Sequence, residues 1–166
     1  MTMNHLCISK YDIKYRNELG VYLRDDWTSF FDIGKVWEGE LLTREEYERV
    51  EKNYLDALRD IAQFVGANAF EINSNEMWDY DTSHLGFPFV NGSIINLEQC
   101  LTLAKDIIRE KVWCKIESEK LNIYCEYDYY IYISFEGDLD AVKAIIKKYD
   151  LFWEMQDRKW FEKDED

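Results

Sequence analysis

The 166 residues are 47% hydrophobic and 16% aromatic, with one proline and seven glycines, which excludes a disordered chain and leaves little room for flexible linkers. The 34 Asp and Glu against 20 Lys and Arg give a formal net charge of −14, which disfavours direct DNA or RNA binding and favours a basic partner. No apolar run reaches the ~20 residues of a membrane span, and the first residues lack the basic and apolar stretches of a secretory signal.

The expectation is one acidic cytoplasmic domain over residues 1–166. Its first stretch, 1–42, sets Tyr11, Tyr15, Tyr22, Trp27, Phe30, Phe31 and Trp37 among charged residues and around Gly20, Gly34 and Gly39. It reads as irregular or short-stranded chain anchored by aromatic rings. Thr43-Arg44-Glu45-Glu46 is a capping box, and Tyr47, Val50, Tyr54, Leu58, Ile61 and Val65 recur at three- and four-residue steps. They predict a helix stopped by Gly66, after which Ala69–Ile72 makes a short strand.

Residues 73–93 form a polar stretch of the length that functional loops have. Asn96 and Gln99 open a second helix whose buried stripe is Leu97, Leu101, Ala104 and Ile108. The period then changes to two. Val112, Cys114 and Ile116, then Leu121, Ile123 and Cys125, then Tyr129, Ile131, Ile133 and Phe135 alternate with more polar neighbours, as in an antiparallel meander. Asp138 caps a third helix with Leu139, Val142, Ile145 and Tyr149 inward, and Leu151–Met155 is a final strand. The fold expected is α+β: an antiparallel meander of about four strands with two to three helices packed on one face.

The search for catalytic equipment yields little. No G-x-S-x-G, H-E-x-x-H, P-loop or G-x-G-x-x-G occurs, and the two histidines, His5 and His84, lie in different contexts. Cys7, Cys100, Cys114 and Cys125 form no C-x-x-C pair and read as buried free thiols, with a Cys114–Cys125 disulfide as the alternative. Asp79 and Asp81 flank Tyr80 and would point the same way in an extended segment. The glycine and terminal glutamate of an EF-hand are missing, however, so no metal is assigned. Neither a cofactor nor a small-molecule ligand is expected.

One surface stands out. With the aliphatic residues of the meander turned to the helices, the opposite face presents Trp113, Tyr124, Tyr130 and Tyr132, joined by Lys115, Glu117 and Glu126, with Asp128 at the adjacent turn. Tyrosines and tryptophan ringed by charge give large contact area for little rotamer entropy, as interface hot spots do. Two readings stay open here: this face is a docking surface, or the aromatic segment of residues 11–37 covers it and makes a second core.

The stretches Ser9–Asn17, Asp25-Asp26-Trp27-Thr28-Ser29 and Asp32-Ile33-Gly34, with Val112–Glu117 and Tyr127–Ile133, resemble a family of small acidic bacterial proteins, the immunity proteins of contact-dependent or polymorphic toxin systems. The resemblance implies an inhibitor, without enzymatic activity, that binds one cognate toxin domain, often a nuclease. It supplies no residue-level site. The site expected from surface patterning is Trp113, Glu117, Tyr124, Glu126, Asp128, Tyr130 and Tyr132, with Asp79 and Asp81. Two other classes remain: a small hydrolase or transferase working through Asp79, Asp81 and His84, and a regulatory module that binds some other basic protein.

Overall fold

Seven strands, rather than the four expected, form one antiparallel sheet in this computed structural model, which describes residues 3–77 and 79–156. In chain order the strands are β1 (Asn4–Ser9), β4 (Ala69–Met77), β5 (Ile94–Asn96), β6 (Val112–Glu117), β7 (Leu121–Cys125), β8 (Ile131–Phe135) and β9 (Phe152–Met155). A separate hairpin pairs β2 (Val36–Trp37) with β3 (Glu40–Leu41). The spatial order is β5-β4-β6-β7-β8-β1-β9. The expected meander is its centre, β6-β7-β8.

Three helices, α1 (Arg44–Val65), α2 (Leu97–Ile108) and α3 (Leu139–Lys148), lie on the aliphatic face. Helix α1 begins where Thr43 Oγ1 accepts from the Glu46 amide at 3.1 Å and ends at Gly66, which takes φ +78°. That left-handed turn is open to glycine at no steric cost. Only half of the Thr43 box forms, because the Glu46 carboxylate turns to Arg49 instead, at 2.7 and 2.8 Å. The Asn96–Gln99 box closes in both directions, at 2.9 and 3.0 Å. Asp138 caps α3 as expected, but Ile146 joins Val142 inside while Leu139, Ile145 and Tyr149 are partly buried.

The core is one cluster between sheet and helices, with Ile72, Ile116, Ile133 and Phe135 each 0% exposed. Extra strands come from two places. β1 slots between β8 and β9, pairing Leu6 with Ile133 on one side and Met155 on the other. β4 runs through a bulge at Asn73–Glu76, so the first five residues of the expected loop belong to the sheet.

Where the sheet, α1 and α2 meet, a buried polar chain joins them. The Tyr129 hydroxyl donates to that of Tyr47, which donates to Glu51 at 2.9 Å, and Arg109 grips Glu51 with two bonds of 2.8 Å. Trp27 and Phe30 of the N-terminal segment stack against Tyr47, so this aromatic segment docks at the end of the core.

Candidate functional site

The outer face of the sheet follows from the two-residue period. In β6 the burial alternates strictly, with Val112, Cys114 and Ile116 buried and Trp113, Lys115 and Glu117 half-buried on the other side. Tyr124 faces Tyr132 across β7-β8, and Tyr132 faces Cys7 across β8-β1, so the aromatic residues share one row.

Side chains there lie against one another. The Tyr124 hydroxyl donates to Glu117 at 3.3 Å, the Lys115 amine sits 5.8 Å from the centre of the Tyr124 ring, and Asn73 donates to Glu117 at 3.1 Å. Trp113 is oriented by its indole N–H, which donates to the Cys125 carbonyl at 2.9 Å. Tyr124 is 7% exposed, the least accessible of the aromatic set.

Of the two readings left open, each holds for part of the face. At the Tyr130 end the N-terminal segment does fold over: the Tyr11 ring lies 5.2 Å from that of Tyr130. Arg16 donates to the Tyr130 hydroxyl at 3.0 Å and to Glu154 at 2.6 Å. Trp113, Lys115, Glu117, Glu126 and Tyr132 keep a half-open position, and none of the three helices packs on their side. Beside them the β4 bulge, where Ser74 takes φ +52°, opens a notch of about 320 Å³ lined by Ser74, Glu76, Trp113, Lys115, Glu126 and Tyr127. Tyr127 is 61% exposed there.

Asp128 sits at the turn of the β7-β8 connection. It and Tyr129 both take left-handed φ values, +65° and +68°, which cost about 1–2 kcal/mol per residue outside glycine. Two tyrosine hydroxyls hold the turn: Tyr11 donates to the Asp128 carbonyl at 2.6 Å and Tyr54 to the Tyr129 carbonyl at 2.9 Å.

Asp79 and Asp81 are not part of the notch. They line a separate depression of about 490 Å³ with Tyr80, His84 and Lys111. Asp81 accepts from the Ser83 amide, and that bond holds its carboxyl below the usual range. Behind them stands Asp106 of α2, 6% exposed, which accepts from the Tyr80 hydroxyl at 2.6 Å and lies 2.6 Å from His84 Nε2. Sequence reasoning missed Asp106, Glu76 and Tyr127. An acid at the inner end of a helix stripe was the one available signal for Asp106.

All four cysteines are buried free thiols, so the alternative disulfide does not form. Burial pushes Cys7 and Cys114 up to about 12, and Cys100 and Cys125 also upward, which leaves them protonated and poor nucleophiles near neutral pH. Among the described residues no group of three metal-ligating side chains is assembled, and no helix is long and apolar enough to cross a membrane. No family model, no curated protein and no solved structure matches this chain.

Proposed function

We propose that this chain is an immunity protein: a cytoplasmic inhibitor that binds a basic toxin domain, a nuclease in the leading version, and neutralises it without catalysis. One observation carries the reading. Trp113 and Tyr132 stand with Glu76 and Glu117 on the sheet face opposite the three described helices, with Glu126 and Tyr127 on the adjoining turn, beside a notch of about 320 Å³. Strands hold Glu76, Trp113, Glu117 and Tyr132 in place, and Glu126 and Tyr127 sit on the short β7-β8 connection, so little ordering entropy opposes binding. The net charge of −14 would speed encounter with a cationic cleft, while the aromatic contacts would slow release.

The test is co-expression with the toxic domain encoded beside this chain. Restored growth and a purified complex are expected, with an association rate that falls steeply with salt and a dissociation rate that barely changes. No rescue and no complex would end the proposal.

A second reading rests on the Tyr80–Asp106–His84 cluster. A buried carboxylate that orients an imidazole beside an open depression is the arrangement of a general acid–base pair. It predicts turnover that His84→Ala abolishes. The simpler role of the same bonds is to fasten the 79–93 loop to the end of α2, and then His84→Ala loosens the loop and removes no activity.

A further inference from the structure

A groove of the protein lies away from the open sheet face. About 500 Å³ in volume, it runs between the N-terminal segment, the β2-β3 hairpin, the first turns of α1 and the turn before β9. That size falls in the ~300–1,000 Å³ range of ligand clefts.

Its floor and its rim differ in chemistry. Among the floor residues, the Lys10 side chain is 7% exposed and its ammonium lies 3.0 Å from Asp26, 4.0 Å from the Trp27 ring centre and 4.4 Å from that of Tyr11. Asp26 can occupy only one of the three donors of that ammonium. The indole nitrogen of Trp37 is also buried and has no acceptor among the described residues. Buried donors without acceptors are rare and unfavourable, and each one asks what it meets.

The rim is anionic beyond its own needs. Arg49 is taken by Glu46 at 2.7 Å, and Arg24 lies 4.8 Å from the Tyr15 ring centre. Asp25, Glu38, Glu40 and Asp150 form no ion pair among the described residues, although Glu38 accepts from the Asp25 amide at 2.9 Å and Arg24 and Arg49 feel the charges of Glu38 and Asp150. A ligand suited to both layers carries a cation for the rim and a hydrogen-bond acceptor for the floor.

We infer that this groove is a second docking site, for a peptide segment bearing an arginine or lysine, whose side chain meets Glu38, Glu40 and Asp150 while a backbone carbonyl accepts from the Trp37 indole. That the segment belongs to the toxin rests on the proposed function; the preference of the groove for a basic peptide does not.

The probe is acetyl-Gly-Arg-Gly-amide, titrated into the full chain labelled with ¹⁵N at its tryptophan indoles, with Trp37→Phe identifying the resonance. A saturable downfield shift of the Trp37 N–H is expected, because it gains an acceptor. The uncharged citrulline peptide should bind at least about tenfold more weakly, and so should the arginine peptide to the Glu38→Gln/Glu40→Gln variant, whose circular dichroism stays unchanged. A static Trp37 resonance overturns the inference. So does an equal shift with the citrulline peptide or with spermidine, which lacks an acceptor carbonyl. A toxin bound equally by wild type and the Glu38→Gln/Glu40→Gln variant removes the groove from toxin binding and leaves the proposed function standing. Peptide binding without any toxin neutralised does the reverse.

Discussion

The two faces of the sheet are made from alternate residues of the same strands, yet they have opposite characters. Toward the helices, Ile116, Ile123, Ile131 and Ile133 are 0–1% exposed and carry no polar atom in their side chains. One position along, Lys115, Asn122 and Tyr132 are half-buried and end in polar groups. The deepest burial is therefore on one side, while the other mixes half-open positions with the buried Cys7, Tyr124 and Ser134.

That division can be broken by experiment. The largest loss is expected for Arg109→Ala, which leaves Glu51 buried at 4% side-chain exposure without its bidentate partner. A cost of about 3–5 kcal/mol in urea unfolding is expected, since the buried carboxylate then keeps only the Tyr47 hydroxyl and the Lys105 amine at 4.0 Å. Ile133→Ala should cost about 2–5 kcal/mol through lost burial and the cavity left behind. A value under 1 kcal/mol would show that the inner face repacks freely.

Lys10 adds a smaller effect spread over pH. Burial pushes its amine down to about 8 from 10.5, with Asp26 opposing the shift. Because the unfolded chain then holds its proton to higher pH, the contribution of Lys10 to stability rises as pH goes from 8 to 10.5. Unfolding curves of wild type and Lys10→Met, compared across that window, should show wild type gaining relative to the variant. A constant difference would mean that Lys10 titrates normally. The smallest change is expected on the outer face: Glu76→Gln with Tyr127→Ser should shift stability by less than about 0.5 kcal/mol while weakening association with a basic partner. Unfolding of that double variant would erase the contrast between the faces.

How much was legible depends on where each signal resides. The three helices announce themselves locally, in Thr43, Asn96 and Asp138 and in the apolar steps that follow, and the period-two run from Val112 to Phe135 specifies its own meander. β1 was not legible because it is buried on both faces: Cys7 and Ser9 are nearly as buried as Leu6 and Ile8, so the six residues show no alternation of hydrophobicity to read. β4 continues through Asn73-Ser74-Asn75, residues of poor strand propensity, because pairing with β6 overrides it. The row that Tyr124 and Tyr132 share was legible from the period alone. The notch was not, since it depends on a bulge, and the Asp106 cluster and the Lys10 groove each gather residues from distant parts of the chain.

The place of β1 has a consequence for synthesis. Asn4–Ser9 leaves the ribosome before both of its neighbours but bonds to Ile131–Phe135 and to Phe152–Met155, so it must wait for almost the whole described chain. Until then β8 offers a bare edge, which is the stage at which nascent chains pair with the wrong neighbour. Contacts between such distant positions also slow folding, so this molecule should mature late and in one step, once β9 has emerged.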